Sequence, residues 1–152
     1  MSDLICAIAT APATAALGII RVSGSDVLSA VAPLLYKMNG SPAELEHGKA
    51  TLCRIQADGE LYDEAVVTYY QAPRSYTGED TIELCCHGGL YVLQSVCELL
   101  LQKGCRMAEA GEFSKRAFLN GKLDLIKAQA VIDLIEATSR AERKNALSQL
   151  EG

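Results

Sequence analysis

Positive charge is in short supply: 14 Lys and Arg stand against 19 Asp and Glu, a net charge of -5 in 152 residues. A deficit of that sign leaves no basic footprint for a phosphate backbone, so nucleic acid is not expected to dock on this chain alone. Long hydrophobic runs are also missing, and nothing approaches the roughly 20 apolar residues of a membrane span. The amino terminus, Ser2-Asp3-Leu4-Ile5-Cys6-Ala7-Ile8-Ala9, carries no basic region ahead of its short apolar run and does not read as a secretory signal. A soluble, cytosolic chain with no membrane role is expected. The two Gly-Lys pairs, Gly48-Lys49 and Gly121-Lys122, lack the glycine five places earlier and the following Ser or Thr, which excludes triphosphate hydrolysis by a phosphate-binding loop. No internal repeat, low-complexity linker or Cys-x-x-Cys pair is present. The six cysteines, Cys6, Cys53, Cys85, Cys86, Cys97 and Cys105, sit in apolar runs and read as reduced, small buried hydrophobes rather than a disulfide framework.

What is present is enough hydrophobic residue, 49%, for one ordinary core plus an appended element. Leu4–Ala9 and Gly18–Val22 are apolar runs bounded by Pro, Gly or Ser and predict buried strands around an Ala/Thr/Pro loop. Ser25–Leu35 has helical spacing, with Pro33 expected to kink or end it. Ala50–Ala57 and Leu61–Tyr70 predict an antiparallel pair turned by Asp58-Gly59, because Gly accepts the positive φ of a tight hairpin. Thr81–Cys86 predicts a strand, Leu90–Lys103 a helix stopped at Gly104, Cys105–Ala108 a last strand, and Gly111–Asn120 a short helix. Leu123–Leu150 predicts one helix of about 40 Å, longer than the domain before it and therefore projecting. Its stripe of Leu125, Ala128, Ile132 and Ile135 outruns that domain, so the chain reads as a fragment whose missing part packs there.

Three charged residues stand out. Glu83 falls, by strand alternation, on the face opposite Ile82 and Leu84, near what reads as the strand end. A carboxylate there suits the paired N–H donors of a pterin edge, and it equally suits solvent. Arg21 is the lone charge in Gly18-Ile-Ile-Arg-Val-Ser-Gly24 and must reach a ligand anion, a neighbouring Asp or Glu, or water. Lys122, in the turn after Asn120-Gly121, can reach a bound anion or lie in solvent. His87-Gly88-Gly89 can offer backbone N–H groups to an anion or form only a tight turn, and His87 is the one candidate acid or base. Cys85 and His87 share a strand face, but two ligands do not make a metal site, and none is expected. Glu112, Lys115 and Arg116 read as a solvated helix face.

Taken together, Gly18-Ile-Ile-Arg-Val-Ser-Gly24, Ser75-Tyr-Thr-Gly-Glu-Asp80, His87-Gly-Gly89 and Gly111-Glu-Phe-Ser-Lys-Arg-Ala-Phe-Leu-Asn-Gly-Lys-Leu-Asp-Leu125 resemble the MnmE (TrmE) family of tRNA-modification GTPases, in the family's order and over essentially the whole chain. The resemblance implies an α/β domain with a mixed sheet and packed helices, similar to the folate-binding fold of aminomethyltransferases. It divides the chain into a folate-binding and dimerisation domain at 1–121 and the first long helix of a helical domain at 122–152. It implies a homodimer that binds 5-formyltetrahydrofolate or a related tetrahydrofolate, the one-carbon donor for the wobble uridine of tRNA. The family's folate-contacting Arg, Glu and Lys fall on Arg21, Glu83 and Lys122. GTP, magnesium and potassium belong to a GTPase domain beyond Gly152, and the flavoprotein MnmG and tRNA are partners of the full-length protein. On that basis the chain binds and dimerises, and does not catalyse alone.

One departure bears on the ligand. Family members carry a glycine-rich loop after the first strand, where this chain has Pro12-Ala13-Thr14-Ala15-Ala16. Two alternatives stay open: a self-contained folate-dependent aminomethyltransferase-like enzyme, and a structural dimer module that has lost folate. Cys85-Cys86 before the His-Gly-Gly is also less typical.

Overall fold

The computed structural model describes residues 2–9, 17–87 and 89–151, with backbone only at 139 and 142–151. The Pro12–Ala16 loop and Gly88 lie outside the described residues. Contacts divide the chain into two units, Met1–Ser75 with Glu79–Met107, and Tyr76–Gly78 with Ala108–Gly152.

The first unit is a seven-stranded mixed sheet with helices, the α/β class that the resemblance implies, with one strand more than the apolar patterning predicts. Its strands are β1 (Ile5–Ile8), β2 (Leu17–Ser23), β3 (Leu35–Tyr36), β4 (Ala50–Ala57), β5 (Glu60–Tyr70), β6 (Thr81–His87) and β7 (Arg106–Met107). They lie in the order β3-β4-β5-β6-β2-β1-β7, all antiparallel except β1 with β7. Alternation sends Cys6, Ile20, Val22, Cys53, Ala65, Val67, Ile82, Leu84 and Cys86 to one face, where each is at most 1% exposed. The helices α1 (Val27–Val31) and α2 (Gly89–Gln102) complete that core with Val27, Val31, Leu93, Val96, Leu99 and Leu100.

Several boundaries differ from the sequence expectation for local reasons. The helix expected over Ser25–Leu35 is only α1, followed by a 3-10 turn at Ala32–Leu34 and then β3. Pro33 has no N–H to continue the α-helical ladder, so the chain tightens and leaves as a strand. The Asp58-Gly59 hairpin forms as predicted, with φ of 54° and 78° at its two central residues. A register shift between Ile55 and Gln56 follows, an irregularity that alternation does not reveal. Gly104, at φ 106°, ends α2 by letting the Cys105 N–H reach back to the Leu100 carbonyl at 3.1 Å. The expected Cys105–Ala108 strand shortens to Arg106–Met107.

The second unit holds α3 (Glu112–Leu119) and α4 (Leu125–Glu151). The long helix starts two residues later than predicted because Asp124 caps it, its Oδ1 accepting the Lys127 N–H at 2.7 Å. A Cβ on Gly111 would lie 3.0 Å from Ile132 Cγ1, so glycine lets α4 approach the start of α3. Of the predicted stripe, Ala128 is 3% exposed, whereas Leu125 and Ile135 are exposed. The solvated face expected at Glu112 and Arg116 is a correction: their side chains are 12% and 10% exposed and pair at 3.4 Å, four residues apart. Burial of the pair on a short helix needed partners that helical spacing alone does not show.

All six cysteines are free, and only Cys85 is not buried. Burial, then the negative charge of Asp63, pushes the Cys86 thiol up to about 12, and burial also raises Cys53. Native protein treated with iodoacetamide should therefore be alkylated at Cys85 well before the other five, as peptide mass mapping would show. Because the folded thiol of Cys86 holds its proton more tightly than the unfolded one, its contribution is complete below the ordinary thiol range near ~8.5. That contribution is lost as pH rises towards about 12, so urea midpoints should fall over this alkaline window. Gly24, at φ 149°, would place a Cβ 2.5 Å from the Asp3 carbonyl oxygen. Gly24→Ala should cost about 1–3 kcal/mol in urea unfolding. Gly59→Ala, which meets nothing within 4 Å, should cost only about 1 kcal/mol for its left-handed backbone.

Candidate functional site

The face of the sheet away from the core carries the charged candidates. The β2–β6 register sets Leu17 opposite His87, Ile19 opposite Cys85, and Arg21 opposite Glu83. Thr68 of β5 flanks Glu83 on its other side, and Ala7 of β1 flanks Arg21. Glu83 thus lies on the predicted face, but it sits third in a seven-residue strand rather than near the strand end. The strand runs on to His87 because the β2 partner residues continue to Leu17.

Arg21 and Glu83 are brought together. Arg21 Nε donates to Glu83 Oε1 at 3.2 Å, with side chains 22% and 26% exposed. The two residues weighed separately in the sequence are one ion pair held by direct cross-strand opposition. An ionised carboxylate has about four acceptor positions, so one guanidinium bond leaves capacity for further N–H donors. Around the pair the face is open, with Leu17, Leu52 and Val66 exposed by 53%, 48% and 37% alongside Thr68 and the Arg54–Glu64 pair.

Below this, the Ser75–Asp80 motif ties the β5–β6 connection down. Glu79 Oε1 accepts from Ser23 Oγ at 2.9 Å, the Glu79 carbonyl accepts from Thr81 Oγ1 at 3.0 Å and from Ser75 Oγ, and Asp80 Oδ1 accepts the Ala72 N–H at 2.8 Å. Ser23 and Thr81 are buried, so Glu79, through its carboxylate and its carbonyl respectively, satisfies hydroxyls that water does not reach.

Lys122 belongs to the second unit and is exposed. Its N–H bonds the Ala117 carbonyl at 2.8 Å, closing the turn after α3 through Gly121 at φ 74°. Asn120 Nδ2 donates to the carbonyls of Thr77 and Arg116, each at 2.9 Å, and Tyr76 Oη lies 2.7 Å from Ser114 Oγ. A Cβ on Gly78 would stand 2.7 Å from Asn120 Cβ and 3.3 Å from Lys122 Cγ. Gly78 and Asn120, which sequence reasoning passed over as site residues, therefore set the backbone from which Lys122 leaves. The Asn-Gly-Lys turn was the signal for them, but their partner segment at 76–78 is distant in sequence.

His87 has partners that the sequence did not indicate. Its N–H donates to Asp63 Oδ2 at 2.7 Å, and its Nδ1 lies 2.8 Å from the Glu64 carbonyl oxygen. Among the described residues, no group of three or more His, Cys, Asp or Glu is arranged to hold a metal ion, and no helix is long and apolar enough to cross a membrane.

A sheet of this topology, with a cross-strand Arg–Glu pair on its open face, defines a mixed α/β domain with a polar anchor among exposed apolar side chains. Comparison with known proteins supplies the class. The family described as the GTP-binding protein TrmE N-terminus matches residues 4–122. The tRNA modification GTPase MnmE of Porphyromonas gingivalis is 43% identical over 99% of this chain and 32% of its own length. The same protein from Bacteroides thetaiotaomicron is 47% identical, over 99% of this chain and 32% of its length, and that from Clostridioides difficile 46%, over 100% and 33%. The chain belongs to this family and corresponds to its amino-terminal part, spanning about a third (32%) of the length of the curated relatives it matches.

Because the Arg21–Glu83 pair is partly solvated, its contribution to folding is small. A double-mutant cycle with Arg21→Ala and Glu83→Ala, read by urea unfolding, should give a coupling below about 1 kcal/mol. A coupling several times larger would mean the pair is chiefly structural.

Proposed function

We propose that this chain is the tetrahydrofolate-binding and dimer-forming part of a GTPase that modifies tRNA. The observation that carries the reading is the Arg21–Glu83 pair at 3.2 Å on an open sheet face with exposed apolar side chains. Arg21 fixes one oxygen of Glu83 and leaves acceptor capacity for the paired N–H groups of a pterin edge. The exposed Leu17 and Val66 supply apolar surface for a flat ring or for a second copy of the domain. Lys122 is the cation for the ligand's carbonyl or carboxylate groups. When bound, a reduced folate such as 5-formyltetrahydrofolate would supply a one-carbon unit for the wobble uridine. GTP hydrolysis with magnesium and potassium, and action on tRNA with the flavoprotein MnmG, belong to the whole protein in this reading.

Calorimetric titration with 5-formyltetrahydrofolate should give saturable binding to the wild-type chain. Glu83→Ala should abolish it, and Arg21→Ala or Lys122→Ala should weaken it by about tenfold, the loss of one charge-assisted hydrogen bond. No heat and no competition from a labelled folate would overturn the folate reading. Sedimentation should give a mass that rises to the dimer with concentration, and a monomer at every concentration would overturn the dimer reading.

A further inference from the structure

Where β6 runs out beside β5, an open cavity of about 570 Å³ is lined by Leu52, Leu61, Tyr62, Asp63, Glu64 and His87. All six belong to the first unit, and none is among the three family-matched folate positions. The ladder between β5 and β6 ends at Val66 opposite Cys85. Beyond that point side chains replace it: the Asp63 carboxylate takes the His87 N–H, and the His87 ring turns to the Glu64 carbonyl.

That second contact decides the chemistry of the ring. A carbonyl oxygen only accepts, so Nδ1 must carry the proton, and in the neutral imidazole Nε2 is then the acceptor. The charges of the lining have one sign. Asp63 and Glu64 are carboxylates; the Arg54 guanidinium, just outside the lining, stands 3.9 Å from Glu64 and balances part of its charge, which leaves Asp63 as the fuller negative charge. Leu52, Leu61 and Tyr62 add an apolar wall.

We infer that this cavity is a binding subsite for an organic amine, whose ammonium N–H is accepted by His87 Nε2 while Asp63 and Glu64 balance its charge. The apolar wall takes the carbon body attached to it. An anion would meet two carboxylates and a bare ring nitrogen, and a neutral alcohol would forgo the charge. His87 lies four residues beyond Glu83 on the same face of β6, about 13 Å along the strand. The subsite stands on its own geometry and does not rest on folate binding at Glu83.

Benzylamine is the probe, with benzyl alcohol and benzoate as controls, titrated into the wild-type chain in alkaline buffer and followed by heteronuclear NMR. Long-range proton–nitrogen spectra should show His87 protonated at Nδ1. Benzylamine should shift the His87 ring and the Leu52 and Leu61 methyls saturably, and the controls should not. His87→Gln and Asp63→Asn should each weaken benzylamine by about tenfold, with thermal unfolding confirming that the variants fold. An Nε2-protonated ring, an equal response to the controls, or unchanged affinity in Asp63→Asn would overturn the assignment. Should His87→Gln fail to fold, the tautomer and Asp63→Asn still decide it. None of these readouts involves folate, so their failure is distinguishable from failure at Glu83.

Discussion

The register between β2 and β6 is the constraint on which the rest of the first unit depends. Seven consecutive residue pairs run from Leu17 with His87 to Ser23 with Thr81. Side chains alternate with a period of two, so a slip of one residue in either strand would carry Ile20, Val22, Ile82 or Leu84 out of the core and turn Arg21 or Glu83 into it. Each would cost several kcal/mol, through lost apolar burial or an uncompensated buried charge, at about 2–3 kcal/mol per large apolar side chain. The hydrophobic residues on one face therefore hold the ion pair in place on the other. The pair is a consequence of the core, not its support.

This arrangement separates stability from recognition. The buried face, closed by α1 and α2, carries the folding energy, and Gly18 lets α2 come close, since a Cβ there would stand 2.4 Å from a Leu93 methyl carbon. The other face keeps a partly solvated guanidinium and carboxylate among exposed apolar side chains, which a ligand or a second protein surface can cover without breaking the core. The Ser75–Asp80 motif extends the same logic: Glu79 and Asp80 hold backbone and buried hydroxyls, which leaves Glu83 as the carboxylate turned to the open face. Acidic residues close together in sequence thus perform different tasks because the connection ends and the strand begins between them.

Much of the architecture was legible residue by residue. Alternation in Thr81–Cys86 located Glu83 on the outward face, Asp58-Gly59 located the hairpin, and Gly104 located the end of α2. These are local rules, set by backbone geometry within a few residues. The two-residue strand β3 and the register shift after Ile55 were not legible, because short edge pairing and bulges depend on a neighbouring strand. The buried Glu112–Arg116 pair was misjudged for the same reason: helical spacing gives the pair, and only packing gives its environment.

The sequence by itself determined most element types, the outward face of Glu83, and, through its motifs, the family. Tertiary structure decided that Arg21 and Glu83 are mutual partners, since 62 residues separate them and only strand order brings them opposite. It also decided that the His87 ring meets the Glu64 carbonyl, because only strand packing brings that carbonyl within 2.8 Å of Nδ1. Backbone conformation is governed by near neighbours and can be read along the chain, whereas hydrogen-bond partners are assigned by the packing of the sheet, which depends on the chain as a whole.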